Sequence, residues 1–244
     1  MESKNKLKVI LNRIKKWCYQ NISCLCLVLL FVIVYILIHN SDEIFLATTV
    51  PLYTGENVAF YRYFTAILSH ANLFHLIANS IGLLCISSIL TPIVGRYKII
   101  ILFFIGIISP LSEVLTNIQY QYNRVSPNTT YRGGSSWGIF ALYGSFLIVY
   151  PIYRKSFKLK WYRFDLLFSL VYFLLAGLNL TDLYGQRDTT LRYWFAPDTH
   201  AMGLAAGAVI TFILVLVGFI KPKEVLDNSK TQEITDSSIE NKEN

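Results

Sequence analysis

Charge is what this sequence has least of. Only 15% of its 244 residues are Asp, Glu, Lys or Arg, where a soluble domain carries about a quarter. With 54% hydrophobic residues and a mean hydropathy of +0.45, a water-soluble fold is excluded. Cysteine is scarce as well. Cys18 precedes the first apolar run, Cys24 and Cys26 lie within it, and Cys85 lies in the second. Cys-x-Cys on a helix points its two side chains to different faces. All four therefore read as small apolar residues, and neither a disulfide framework nor a metal site is expected. A small-x-small cleavage site is also missing after the first apolar run. That run is longer than the roughly 7–15-residue core of a secretory signal, so it is expected to remain as a span.

What the chain does have is apolar runs long enough for a bilayer, which takes about 20 residues of helix. Six spans are expected, at about 22–38, 63–94, 99–115, 136–150, 166–180 and 199–220. His39, at the end of the first, reads as an interfacial residue. Between the first two, residues 40–62 carry Phe45, Leu46, Leu52, Tyr53, Phe60 and Tyr61. That is too much apolar bulk for a solvated linker, so this first loop is expected to fold back into the membrane surface. Three segments follow: a basic cytoplasmic segment 1–21, a six-helix membrane domain 22–220, and a disordered cytoplasmic tail 221–244. In residues 1–20, Leu7, Ile10, Leu11 and Ile14 recur at helical spacing among six cations. Two readings fit: an amphipathic helix on an anionic leaflet, or a solvated basic tail.

The net charge of +7 is distributed as topology rather than as a nucleic-acid surface. Lys4, Lys6, Lys8, Arg13, Lys15, Lys16, Arg96, Lys98, Arg154, Lys155, Lys158, Lys160, Arg163, Lys221 and Lys223 fall on one side of a six-span chain. The other side holds Arg62, Arg124, Arg132, Arg187 and Arg192. The positive-inside rule then puts both termini in the cytoplasm.

Polar groups inside membrane spans are costly and are functional candidates. The candidates are His70, His75, Asn79, Glu113, Ser136, Asn179 and His200. Spans two, four and six all enter from outside, which sets His70, His75, Asn79, Ser136 and His200 at similar depth. His75 and Asn79 share a helix face. His200-x-x-Gly203-x-x-x-Gly207 puts the imidazole above a small-residue face, and Gly138, Ala141, Gly144 and Ser145 give span four another. Two such faces allow close helix approach and would bring Ser136 to His200. The pair would be a nucleophile and a general base. The Ser136 amide at a helix start, with His75 and Asn79, would hold an oxyanion. Singly, each group has a plainer explanation: Gly-x-Ser packs helices, an interfacial His is structural, and His/Asn four apart can staple two helices. Glu113 and Asn179 read as structural or interfacial.

Together these residues resemble the rhomboid intramembrane serine proteases. His70-x4-His75-x3-Asn79 is similar to the family's second-helix motif. Gly134-x-Ser136, with Gly144 eight residues on, looks like the nucleophile motif, and His200-x2-Gly203-x3-Gly207 the sixth-helix motif. Tyr61-Arg62 resembles a Trp-Arg pair in the first loop. The resemblance spans about residues 22–220 and implies an all-α, six-transmembrane-helix bundle with a membrane-embedded first loop. It implies a Ser136–His200 dyad, an oxyanion hole of His75, Asn79 and the Ser136 amide, and a structural His70 that organises the first loop. Arg62, Gly134, Gly203 and Gly207 would be structural near the site. The fifth helix and Tyr193, Trp194 and Phe195 would be gate and cap. Substrates would be single-span membrane proteins cut near their extracytoplasmic end, with no metal or cofactor and no nucleic-acid partner. The form expected is a bacterial-type, multi-pass cell-membrane enzyme whose site faces the extracytoplasmic side; its oligomeric state is not implied.

One position departs. Trp137 stands where the family usually has Gly, either crowding the site or facing lipid or substrate, with Gly138 as a compensating neighbour. A register shifted by one would make Ser135 the nucleophile; the Gly144 spacing favours Ser136. The departure keeps a second reading open: a catalytically inactive rhomboid-like protein that binds membrane-protein clients. A small transporter is a third reading, but no inverted repeat supports it.

Overall fold

The computed structural model describes residues 2–52, 59–70, 72–109, 111, 130–154, 164–177 and 199–221. Helix α1 (Glu2–Gln20) leads through Asn21 into α2 (Ile22–His39), followed by a short α3 (Asp42–Thr48) and strand β1 (Val50–Leu52). A short α4 (Tyr61–Ala66) precedes the long α5 (Leu73–Val94). Helix α6 (Lys98–Phe104) runs into a 3₁₀ turn (Ile105–Ile107), and strand β2 (Thr130–Arg132) precedes α7 (Ser136–Tyr153). The last helices are α8 (Phe164–Gly177) and α9 (Thr199–Leu216).

Among the described residues, α2, α5 and α7 are long and apolar enough to cross a membrane. The apolar stretches Lys98–Ile107, Phe164–Leu174 and His200–Leu216 are shorter helices. The expected second span is corrected at its start. Residues 63–66 belong to α4 and a turn follows it, and the helix begins only where the Asn72 side chain accepts a hydrogen bond from the His75 amide at 2.8 Å. That cap satisfies one of the orphan first-turn donors and fixes where His75 enters the helix. The described fold is helical, as expected, with one small addition. Strands β1 and β2 pair antiparallel, with Val50 opposite Arg132 and Leu52 opposite Thr130.

Helix α7 is the centre of the bundle. Every residue from Gly134 to Ser145 is buried, which explains why the sequence there is apolar on all sides. Its closest partner is α9. A Cβ on Gly207 would lie 2.1 Å from the Ala141 carbonyl oxygen, and one on Gly144 would lie 2.0 Å from the Leu204 carbonyl oxygen. The two backbones touch, as small-residue faces permit. Gly138, expected on this face, turns instead to α6, where an added Cβ would strike the Phe103 ring at 2.4 Å. On its other flank, α5 contributes the fully buried Leu83, Ile86 and Leu90. Helix α2 stands at the periphery and exposes Leu29, Ile33, Ile36 and Leu37.

One end of the bundle gathers basic residues. The Arg96 guanidinium lies 4.4 Å over the Tyr19 ring, at the end of α1. Lys98 donates to the Phe219 carbonyl just past α9. Tyr153 at the end of α7 donates to the Ile220 carbonyl at 2.9 Å. The ends of α1, α7 and α9 and the start of α6 therefore share one side, and Ser136 and His200 start α7 and α9 at the other.

Candidate active site

The site begins with the segment that delivers α7. The first loop is built against it: β1 pairs with β2, and the Gly134 amide donates to the Ala66 carbonyl at 2.8 Å. The Arg62 side chain donates through Nε to the Thr49 carbonyl at 2.8 Å, tying α4 to the end of α3. Ser69 adds a donation to the Thr48 carbonyl at 3.3 Å. The described parts of the loop, residues 42–52 and 59–70, thus form a bonded collar, and its last member is His70.

Two serines and two histidines pair across this collar. His70 Nδ1 lies 3.1 Å from the Leu68 carbonyl oxygen, and its Nε2 lies 2.8 Å from Ser135 Oγ. A carbonyl only accepts, so Nδ1 carries the proton and Ser135 donates to Nε2. Burial, and secondarily the neighbouring His75 ring, push the His70 pKa down to about 3, so the ring is neutral. The ring packs against Phe31, at 5.1 Å between centroids, and against His75 at 5.3 Å. The other pair is Ser136 and His200, with Oγ 3.0 Å from Nε2.

The pairs differ in what surrounds them. Ser135 is fully enclosed, and His70 is 2% exposed. Ser136 stands at the first residue of α7, where first-turn amides have no intrahelical acceptor. Beside it lies His75: a Cβ on Gly134 would sit 3.2 Å from His75 Cε1 and 3.4 Å from Ser136 Oγ. Gly134 is therefore a gap between the imidazole edge of His75 and the Ser136 hydroxyl. One turn below His75, Asn79 is 2% exposed. Its Oδ1 accepts from the Tyr172 hydroxyl at 2.5 Å, and its Nδ2 is buried with no partner among the described residues.

His200 is held flat. Its ring stacks on Phe140 at 4.5 Å and 18°. Phe140 lies four residues after Ser136, so one face of α7 carries both the hydroxyl and the shelf under the imidazole. Gly203, one turn into α9, lets the helix close down; a Cβ there would meet the Trp137 carbonyl oxygen at 2.8 Å.

Ser136, His200, His75 and Gly134 are thus gathered at the start of α7, with His70 on the adjacent Ser135. Asn79 follows on the same face of α5. Gly203 and Gly207 line the α7–α9 contact, and Arg62 sits in the collar. Trp137 is 3% exposed, so it does not face lipid. Tyr193, Trp194, Phe195, Glu113 and Asn179 lie outside the described residues. Sequence reasoning missed Phe140, Tyr172 and the His70–Ser135 bond. The four-residue offset from Ser136 was an available signal for Phe140, whereas Tyr172 gives none until α8 is placed.

Chemically, a hydroxyl bonded to an imidazole nitrogen at a helix start, with a second imidazole across a glycine gap, suits acyl transfer. A family model of the Rhomboid domain matches residues 57–217, about two thirds of the chain. A search of curated proteins finds no match.

Proposed function

This chain belongs to the rhomboid family, and on that premise we propose that it is an intramembrane serine endopeptidase. The observation that carries the reading is the 3.0 Å contact between Ser136 Oγ and His200 Nε2, on helices whose backbones touch. His200 Nε2 takes the Ser136 proton as Oγ attacks the scissile carbonyl carbon. The developing oxyanion accepts from the Ser136 amide, His75 and Asn79. The carbon–nitrogen bond then breaks, and the departing amine takes the proton from the His200 imidazolium. Water, deprotonated by the same nitrogen, releases the acyl group and restores Ser136.

The substrates are single-span membrane proteins, cut near the extracytoplasmic end of their transmembrane segment. Six spans put both termini in the cytoplasm of a multi-pass cell-membrane protein, and the basic end of the bundle supports that orientation. Leu7, Ile10, Leu11 and Ile14 are exposed on α1 beside Lys8, Lys15 and Lys16, which supports docking on an anionic leaflet. Helix α8 and residues 193–195 would be gate and cap.

The test is cleavage of a model single-span substrate in liposomes. Wild type cuts, while Ser136→Ala and His200→Ala do not; undiminished cleavage by Ser136→Ala removes the serine from its role. A second reading rests on one observation, the buried Trp137 beside the nucleophile. In that reading the chain binds clients without cutting them. It gains if clients co-purify equally with wild type and both variants and no substrate yields product.

A further inference from the structure

Tyr172 makes an unusual connection for a residue of α8. Its hydroxyl reaches across to α5 and donates to Asn79 Oδ1 at 2.5 Å. Both side chains are buried, Tyr172 at 7% and Asn79 at 2% exposure. The approach depends on Gly82, three residues after Asn79 on the same face of α5. A Cβ on Gly82 would lie 2.8 Å from Tyr172 Cε2, so the phenol ring is laid directly over the glycine.

We infer that Tyr172 is a positioning residue for the oxyanion hole, and that the seating of α8 on α5 sets the orientation of the Asn79 amide. The inference rests on the proteolytic reading above. A carboxamide has one accepting edge and one donating edge. With Tyr172 donating to Oδ1, the accepting edge is occupied. The N–H pair is left as the donor, buried and without a partner among the described residues. Turned over, the amide would present a carbonyl oxygen to the oxyanion, which is repulsive. A phenylalanine at 172 would remove the hydroxyl donated to Oδ1 and leave that buried oxygen to seek another donor by rotating.

The next residue of α8 reaches the other half of the site. Phe173 stacks on Phe140 at 5.4 Å, and Phe140 stacks on His200 at 4.5 Å. Consecutive side chains of one helix thus support the oxyanion amide and, through one ring, the general base. A substrate segment that displaces α8 would loosen both, so full activity requires α8 to reseat once the substrate is in place.

The test uses the full chain in liposomes with a fluorogenic single-span substrate, and reads kcat and KM separately. Tyr172→Phe should lower kcat on the order of tenfold, less than the loss of an oxyanion donor itself, with KM unchanged. In an Asn79→Ala background it should have no further effect, because the group it positions is gone. Gly82→Ala keeps the hydroxyl but displaces the ring, and should reproduce the kcat loss. Tyr153→Phe is the control. It deletes a hydroxyl donated to the Ile220 carbonyl at 2.9 Å, at the end of the bundle away from Ser136, and should leave kcat unchanged. The inference is overturned if Tyr172→Phe keeps wild-type kcat, if its loss persists beside Asn79→Ala, or if Tyr153→Phe loses as much. Absence of product from wild type would instead overturn the proteolytic reading, and this inference with it.

Discussion

Ser135 and Ser136 are neighbours, each hydrogen-bonded to a histidine, and one residue of register separates the two assignments. Their surroundings divide them. His70 holds its Nδ1 proton on the Leu68 carbonyl and packs against Phe31 and His75. The Ser135 hydroxyl is enclosed with it and serves as a strap from collar to helix. Ser135→Ala should therefore destabilise the fold by about 1 kcal/mol, by leaving His70 Nε2 without its donor, while cleavage continues. Thermal unfolding and turnover on the same preparation check this. Gly134→Ala should do the reverse. Its methyl would intrude 3.2 Å from the His75 ring and 3.4 Å from Ser136 Oγ. A fall in kcat on the order of 100-fold is expected from a misplacement of this kind, with unfolding temperature little changed. An intact kcat would show that the gap between His75 and Ser136 is not used.

At the scale of elements, the contact of α7 with α9 decides whether Ser136 meets His200. Gly207 and Gly144 face carbonyl backbone rather than side chains, so nothing can rotate aside when bulk is added. Gly207→Val should cost about 1–3 kcal/mol as an overpacked core, and should separate Ser136 from His200 as well. Stability and turnover should fall together, unlike in Gly134→Ala. Much of this contact was legible beforehand. The four-residue spacing of Gly203 and Gly207 marked one face of α9, and Ala141, Gly144 and Ser145 marked its partner. Gly138 was assigned to the same face and belongs to Phe103 instead, because spacing names a face but not the neighbour that fills it. The start of α5 was misjudged for a different reason. Residues 63–72 are apolar enough to join the helix, yet the Asn72 side chain caps it and the preceding turn carries His70. The β1–β2 pair was missed because three-residue strands leave no periodic signal.

For the whole molecule, the asymmetry of charge is the main constraint. Arg96 over Tyr19, Lys98 on the Phe219 carbonyl and Tyr153 on the Ile220 carbonyl collect the basic turns at one end. The family assignment was legible in the three motifs because their histidines, asparagine and serine are costly in a membrane and have few reasons to recur at one depth. The gate and cap readings rest on the resemblance alone, since aromatic residues such as Tyr193, Trp194 and Phe195 suit many roles. Orientation can be checked in intact cells. Epitope tags at both termini should resist protease added outside, and a tag inserted between residues 52 and 59 should be removed. Digestion of a terminal tag would reverse the proposed topology.

The most direct measurement of the central claim is the site of covalent reaction with a serine-directed fluorophosphonate, mapped by mass spectrometry on the full chain in liposomes. The account predicts an adduct on Ser136 that His200→Ala abolishes and Ser135→Ala leaves intact. An adduct on Ser135, or one on Ser136 that forms equally fast without His200, would contradict it.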